Sequence, residues 1–478
     1  MPELADQLTW TGRLDQAIAL YRETADTNDE LAQRRALIGL ARALSWAGDH
    51  TAAIATYDQL LARFPDDREA RLGRATVLSW SNRQAAALAE YRAILTAFPL
   101  DMDARRGVGR VQSWRGRYRY AATDMQALLE EQAGDREATV ILAESLAWMG
   151  RQDRAKPVLR DHLAVDPRNE RATALLAELD RAQRPEVQID WREFRQSDDL
   201  RISQHSATTR VHLADGRGHF GPRYSLGLFK PDQPPVEEIQ VQRPGIDARF
   251  RFSDALEGHA SVAADLIDTK GADGDHQIMT WDSYLTYWPN DTLRLDAGTS
   301  RWTFDSEAAL VAGLKATQLS ASADLLPDEL TRWSARASAA DYSDDNQRIW
   351  WQLQADRRVM HTPRVAIGYR YTGFEFQNPG QPGYYNPDRY QANELLVHAS
   401  GRLNDRLRWH FSAVAGHESE DTGESRATAS AGASLTWEAS HAFELELAFD
   451  YSSSRTSSAS GFERSIGRVT LRRRFGSN

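Results

Sequence analysis

The chain has 478 residues and a formal net charge of −10 at pH 7, and it is long enough for two or three domains. This acidic balance is opposite in sign to that of nucleic-acid-binding proteins. Cysteine is absent, which excludes disulfides, thiolate metal sites and cysteine nucleophiles. No run of about 18 apolar residues occurs, so the sequence predicts no membrane-spanning helix.

The first part of the chain repeats with a period of 34 residues, which four tryptophans mark: Trp46, Trp80, Trp114 and Trp148. Around each tryptophan, two apolar patterns with helical spacing are joined by a short turn. A sustained period of this length is the signature of stacked helical hairpins. We therefore predict an α-solenoid over residues 1–185 with about five repeats, the first of them truncated.

The repeat pattern resembles the tetratricopeptide repeat. Trp-x-Gly, Ala-Ile, Tyr and Phe-Pro-x-Asp recur in phase, as at Trp46, Tyr57 and Pro65. Asn82 departs from the pattern, because it stands where the other units carry a glycine. The four tryptophans have two interpretations, a groove for a partner protein or packing between repeats, and their spacing favours packing.

Beyond Pro185 the apolar period changes from that of a helix to that of a strand. Over residues 443–450, for example, Phe443, Leu445 and Leu447 alternate with charged residues. Roughly sixteen such runs follow one another. Short connections such as 253–255 alternate with longer polar ones such as 377–390. This arrangement predicts a transmembrane antiparallel β-barrel of about 16 strands over residues 186–478, of the bacterial outer-membrane type.

A soluble β-sandwich is the alternative for these strands, since it also has alternating apolar and polar residues. Three features favour the barrel: the long series of hairpins, the absence of helical patterns after residue 185 and the dense charge on one face. A sandwich would place both inner faces against a dry core. A barrel in lipid can keep a polar, wet interior.

Repeats followed by such a barrel resemble the exopolysaccharide-export proteins: the outer-membrane subunit of cellulose synthase, the poly-N-acetylglucosamine exporter and the YaiO-like barrels. The segment 383–390, Gly-Tyr-Tyr-Asn-Pro-Asp-Arg-Tyr, is similar to a Gly-Tyr-Tyr/Phe-x-Pro-x-x-Tyr run in the cellulose subunit's barrel. Those exporters usually carry many more repeats. The resemblance implies an outer-membrane pore for a polysaccharide chain, surrounded by outer-membrane lipid. It also implies periplasmic repeats that dock periplasmic or inner-membrane synthesis or modification proteins.

The predicted pore would be lined by charged residues on the polar strand faces. Mixed charge offers many exchangeable hydrogen bonds to sugar hydroxyls, whereas the alternative interpretation is an interior that pairs with itself for stability. The candidates are Asp247, Arg249, Arg251, Asp265, Arg294, Asp296, Arg336, Arg370, Arg402, Arg408, Glu444, Glu446, Asp450, Arg472 and Arg474.

The loop within 377–390 has two interpretations as well. It could fold inward as a constriction or stack on sugar rings, or it could be a surface loop whose aromatic residues pack on the barrel rim. Its candidate residues are Tyr384, Tyr385, Asn386, Pro387, Arg389 and Tyr390.

No catalytic or metal motif is present: the 12 histidines are scattered, and neither a GxSxG elbow nor a P-loop occurs. We therefore expect no enzyme, metal site or cofactor. A basic n-region and an apolar h-region are not visible at the N-terminus, so no signal peptide is predicted. Three hypotheses remain: a polysaccharide export pore, a non-conducting anchor or receptor with a scaffold arm, and a barrel enzyme acting on glycan or lipid.

Overall fold

The computed structural model describes residues 2–197, 199–214, 216–230, 238–270, 274–421, 425–457 and 463–476. The chain divides into two compact units, residues 1–150 with 154–176 and residues 151–153 with 177–478. In the described residues, eleven helices are followed by a closed barrel of sixteen antiparallel strands. The predicted fold class is confirmed.

The helices form successive antiparallel hairpins, and none in the described residues has the length and apolar character needed to cross a membrane. Their bounds are α1 (Pro2–Trp10), α2 (Leu14–Ala25), α3 (Glu30–Trp46), α4 (His50–Arg63), α5 (Arg68–Trp80), α6 (Gln84–Ala97), α7 (Met102–Trp114), α8 (Tyr118–Glu131), α9 (Arg136–Trp148), α10 (Gln152–Val165) and α11 (Glu170–Ala182).

An aspartate begins the first helix of several hairpins and also ties one repeat to the next. Asp67, Asp101 and Asp135 each accept a hydrogen bond from the amide three residues later, which satisfies a free donor of the first turn. Arg68 of the preceding repeat donates to Asp101 at 2.9 Å. Burial acts to raise the pKa of Asp101, but the bonds from Arg68 and from the Ala104 amide outweigh it and hold this pKa below its usual value.

A tyrosine on one repeat requires a glycine on the next. Tyr91 of α6 packs on Gly107 of α7, where an added Cβ would overlap the tyrosine ring. At the equivalent positions one repeat later the chain has Met125 and Ile141, both fully buried. A flexible methionine and a branched isoleucine thus occupy the two positions that a tyrosine and a glycine occupy one repeat earlier.

Gly107→Ile should therefore destabilise the helical unit by about 1–3 kcal/mol, because the ring of Tyr91 leaves no room for the added side chain. The double variant Tyr91→Met/Gly107→Ile copies the Met125–Ile141 pair and should recover most of the loss. Thermal loss of the far-UV circular dichroism signal of the helices, in the full-length protein, measures both. Gly134→Ala is the control, since a Cβ there meets no atom within 4 Å. Equal destabilisation in single and double variants would contradict the pairing.

The strands of the barrel are β1 (Glu186–Gln196), β2 (Arg201–His212), β3 (Gly218–Lys230), β4 (Glu238–Arg251), β5 (Leu256–Lys270), β6 (His276–Tyr287), β7 (Leu293–Thr303), β8 (Lys315–Leu325), β9 (Thr331–Tyr342), β10 (Gln347–Met360), β11 (Arg364–Phe376), β12 (Arg389–Asn404), β13 (Leu407–Glu420), β14 (Ser425–Ser440), β15 (Phe443–Ser452) and β16 (Arg464–Arg474). A short helix α12 (Glu307–Val311) lies between β7 and β8, and a 3-10 turn (Arg455–Ser457) lies between β15 and β16.

Each strand pairs with its neighbours in sequence, and β1 closes the barrel against β16. The closing register runs from Glu186 opposite Arg474 to Gln196 opposite Arg464 without interruption. Closure leaves no unpaired sheet edge, and this is the condition that a sheet must meet inside a lipid bilayer. The connections at the end where β1 starts are short, and those at the opposite end include the long segments 304–314 and 377–388. We call these the short-turn end and the long-loop end.

The two faces of the barrel wall differ in composition. On one face the side chains reach between strands that are not neighbours, as when Arg243 of β4 donates to Thr303 of β7 at 3.0 Å. Such contacts are possible only across the concave side, so this face is the interior. The opposite face carries large exposed apolar residues, among them Ile189, Leu319 and Leu395, which are 50%, 67% and 66% exposed. An apolar outer band is what a barrel presents to lipid.

The closed barrel should make the folded protein heat-modifiable. Unheated protein in dodecyl sulfate should migrate faster on a gel than boiled protein, because a fully paired barrel resists the detergent until it is heated. A variant that ends at Glu463, and so lacks β16, is the matched control and should show one band under both conditions. Identical migration of heated and unheated full-length protein would contradict the barrel.

Candidate functional site

The interior face of the barrel holds the charged residues that were predicted to line a lumen. By the strand register, all of them project from this face: Asp247, Arg249, Arg251, Asp265, Arg294, Asp296, Arg336, Arg370, Arg402, Arg408, Glu444, Glu446, Asp450, Arg472 and Arg474. The alternation of polar and apolar residues in the sequence predicts this face, since every second residue of a strand points to the same side of the sheet.

Many of these residues are paired with one another or with partners that sequence reasoning did not single out. Arg294 contacts Asp296 at 2.8 Å, and Arg408 contacts Glu444 at 2.9 Å. Glu444 also binds Arg472, so one carboxylate holds two guanidinium groups. The interior therefore neutralises much of its own charge by hydrogen-bonded ion pairs, which are stronger than bonds between neutral groups.

The partners missed from the sequence lie on the same interior face. Glu186 binds both Arg472 and Arg474, Glu394 binds Arg370 at 2.6 Å, and Glu257 binds Arg251 at 2.7 Å. The same inward alternation identifies them.

The long-loop end of the interior is crossed by residues 304–314, which we call the strap and which include α12. Leu310 of the strap is fully buried. It belongs to one buried cluster with Phe194, Phe229 and Ile267 from the interior faces of β1, β3 and β5. The Nε2 atom of His276 lies 2.8 Å from the Val311 carbonyl oxygen, which fixes the end of α12 to the start of β6. Apolar packing under the strap thus adds to the polar wall at this end of the barrel.

Aromatic rings hold the other side of the strap. Phe304, Tyr342 and Tyr384 stack with ring centroids 4.8–5.6 Å apart and interplanar angles of 20–25°. Offset stacking of this kind contributes about 0.5–1.5 kcal/mol for each ring pair beyond its buried area. Ser306 also donates a hydrogen bond to the carbonyl oxygen of Gly383. The strap and the 377–388 loop therefore support each other.

The predicted loop residues lie in this assembly. Tyr384 donates to Asp344 at 2.9 Å and accepts from Asn346 at 2.8 Å. Tyr385 donates to Glu420, which also binds Arg455. Burial raises the pKa of both loop phenols above the usual value, and the Asp344 and Glu420 acceptors add to this shift, so the phenols remain donors.

Asn386 and Tyr390 complete the anchoring of the loop. The side chain of Asn386 donates to Gln381 and Tyr384 carbonyl oxygens at 2.8 and 2.9 Å, which closes the loop on itself. Tyr390 stacks on Phe374 with ring centroids 4.6 Å apart and is 2% exposed. The Arg389 amide donates to Asp421 at 2.8 Å, and Pro387 lies next to these anchored residues in the loop.

The family comparison follows the same division of the chain. The model described as the PgaA membrane beta barrel domain matches residues 283–453, and two tetratricopeptide repeat models match residues 34–77 and 103–182. The predicted resemblance is confirmed. The chain joins tetratricopeptide repeats to a membrane barrel similar to that of PgaA, and the barrel is of the outer-membrane type.

Three solved structures are similar to parts of this chain. A structure described as a bacterial polysaccharide outer membrane secretin has 14% sequence identity and a TM-score of 0.50, and the match covers 62% of this chain and 99% of that chain. Acinetobacter baumannii OccAB4 matches with 9% identity and a TM-score of 0.33, over 61% of this chain and 96% of its own. A tetratricopeptide repeat protein from Thermus thermophilus matches with 22% identity and a TM-score of 0.32, over 37% and 95% of the two chains. A comparison with curated proteins gives no match.

A cavity of about 560 Å³ lies against the strap inside the barrel. Its lining mixes aromatic side chains such as Trp302 and Trp350 with the charged groups of Arg348, Arg370 and Glu394. Apolar surfaces with a few placed polar groups are typical of ligand sites. Among the described residues, no cluster of histidine, aspartate and glutamate could hold a metal ion.

The repeat tryptophans end the first helix of each hairpin and are partly exposed. Trp46, Trp80, Trp114 and Trp148 are 41%, 45%, 42% and 64% exposed. A groove of about 370 Å³ in the helical unit is lined by two of them, Trp46 and Trp80, together with arginines and carboxylates. Each tryptophan thus has one packed side and one side open to solvent.

Tyr384→Ala should loosen the strap, because it removes the ring that stacks on both Phe304 and Tyr342. Hydrogen–deuterium exchange of the strap amides, read by mass spectrometry, should rise clearly in this variant. Tyr384→Phe keeps the ring and loses only the hydroxyl bonds, so its effect should be smaller. Tyr369→Ala, on the outer face and 47% exposed, is the control and should leave the strap unchanged. Unchanged exchange in Tyr384→Ala would show that the stack does not hold the strap.

Proposed function

We propose that the protein is an outer-membrane pore for export of an exopolysaccharide. The observation that carries this proposal is a closed barrel with a polar interior whose residues 283–453 match the PgaA membrane barrel model. A barrel of sixteen strands is wide enough to enclose an aqueous channel. Its mixed charged wall offers hydrogen bonds to hydroxyl groups along a sliding chain. The similar solved barrel is described as a polysaccharide secretin, which supports the same class of cargo. We assign no catalytic role, metal or cofactor to the protein.

The helical repeats are proposed to lie in the periplasm and to dock proteins that synthesise or modify the polymer. The strand β1 starts at the short-turn end of the barrel, and short turns face the periplasm in outer-membrane barrels. The helices precede β1 in the chain, so the chain enters the barrel from this end. The groove beside Trp46 and Trp80 gives the docking surface its aromatic contacts. We also propose that the chain divides at residue 185 into these two functional parts.

A second candidate is a non-conducting anchor or receptor that carries a scaffold arm. The strap favours it, since apolar packing around Leu310 fills part of the interior at the long-loop end. Under the export proposal the strap instead acts as a cover that must move when polymer passes. Only the export proposal requires that a passage open when the strap is shortened.

Single-channel recording in planar bilayers separates these candidates. Full-length protein should show small or infrequent openings, and a variant with residues 306–312 replaced by a Gly-Ser linker should conduct more, because it lacks Leu310 and its apolar contacts. The control is a Gly-Ser replacement of the five residues 326–330, a short-turn connection, which should not change conductance. A strap variant that forms a heat-modifiable barrel and still passes no current would refute the pore and support the anchor.

A further inference from the structure

One stretch of the barrel interior breaks the pattern of ion pairs. On most of the wall an inward arginine contacts a carboxylate, as Arg332 contacts Asp324 and Arg370 contacts Glu394. Arg336 of β9 and Arg348 of β10 do not. Among the described residues, no carboxylate lies within ion-pair distance of either guanidinium, and each instead donates to a neutral glutamine side chain at 3.2 Å.

Arg348 is held in place but left with a spare donor. Its guanidinium lies 6.0 Å from the ring centroids of Tyr342 and Phe376, and its Nε atom is buried without a partner. Arg348 also lines two spaces of the barrel interior. Its positive charge therefore borders space that a ligand can occupy, and no carboxylate of the described residues pairs with it there.

The wall beside these arginines is a trough. It has a volume of about 460 Å³ and is lined by small residues, including Gly298, Ser320 and Ser338, with Trp350 and Tyr284 at its sides. Small side chains on adjacent strands leave room for a chain to lie against the backbone of the sheet. The aromatic rings offer an apolar surface to the C–H side of a sugar ring, while serines face its hydroxyls.

The charge of the trough is positive despite the presence of Asp296. One oxygen of this carboxylate accepts from Thr286 and Arg294, and the other accepts from Ser322 at 3.0 Å. Asp296 is thus neutralised by its own neighbours. The charges left for a ligand are those of Arg336 and Arg348.

Position along the wall allows the two arginines to hold one extended chain. In the register, Arg348 lies opposite Ala340, four residues beyond Arg336 on β9. At a rise of about 3.3 Å per residue, the two side chains are about 13 Å apart along the strand direction. The trough also shares Arg348 and Trp350 with the cavity against the strap. The two spaces therefore form one track toward the long-loop end.

We propose that this track binds an anionic polysaccharide and that Arg336 and Arg348 hold its carboxylate groups. A planar guanidinium matches a carboxylate with two parallel hydrogen bonds, which a neutral or cationic sugar cannot provide. The proposal rests on the export function and adds the class of polymer: one that carries uronate or similar acidic sugars.

Equilibrium binding of an end-labelled oligogalacturonate to the full-length protein in detergent, measured by fluorescence polarisation, tests the site. The wild-type protein should bind it, and added salt should weaken the binding. Arg336→Gln/Arg348→Gln should weaken binding at least about tenfold, since it removes two guanidinium groups that form charge-assisted hydrogen bonds with carboxylates. Arg357→Gln, on the outer face of β10, is the matched control and should bind as the wild type does.

Carboxyl-reduced oligogalacturonate and a chitosan oligomer are the neutral and cationic probes, and both should bind far more weakly. Arg336→Lys/Arg348→Lys keeps the charge and should bind more tightly than the glutamine variant, provided that each variant forms a heat-modifiable barrel. Absence of wild-type binding, equal binding of the reduced probe, or equal affinities of the lysine and glutamine variants would overturn the proposal. Binding needs no current, so a barrel that conducts but ignores oligogalacturonate would refute this site alone. A barrel that binds it but never conducts would refute the pore.

Discussion

A backbone amide in hydrocarbon has no water to bond, so a sheet there must pair every strand with another. In this chain the first and last strands, β1 and β16, must therefore pair with each other, and they do so along eleven consecutive positions. Closure turns one face of every strand inward and the other outward. From that division follow the apolar outer band, the polar interior and the register that brings distant charged residues together. The interior chemistry is thus a consequence of the pairing of the first strand with the last.

A closed polar interior must then satisfy its own charges. Pairs such as Arg370–Glu394 and Arg332–Asp324 do so, and the network built on Glu444 joins three strands. At the long-loop end the strap and the aromatic stack add buried apolar packing to such pairs. Arg336 and Arg348, which have no carboxylate partner among the described residues, lie on the wall that leads to this packed end.

Much of this architecture is readable from the sequence because it is periodic. The 34-residue tryptophan spacing predicted the helical hairpins, and the alternation over residues such as 443–450 predicted strands and their inward face. The strap was not predicted. Its packing depends on Leu310 meeting residues from β1, β3 and β5, and such long-range contacts leave no local pattern. Ion-pair partners such as Glu394 were missed for a related reason: alternation gives the face of a residue but not its neighbour across the register.

The contact of Tyr91 with Gly107, and the change of both positions together to Met125 and Ile141 one repeat later, also bear on how such an array can change over generations. The Tyr91–Gly107 contact joins two successive hairpins, so the unit that must be inherited intact is the surface between two hairpins and not the single hairpin. A repeat with a tyrosine at the position of Tyr91 can be duplicated next to another such repeat, because the next helix then carries a glycine that accommodates the ring. The same repeat placed directly before the helix that carries Ile141 would bring the tyrosine ring against a large side chain. The number of repeats can therefore increase within a series that has the tyrosine and the glycine. A change to methionine and isoleucine must alter the residues on both sides of a junction together.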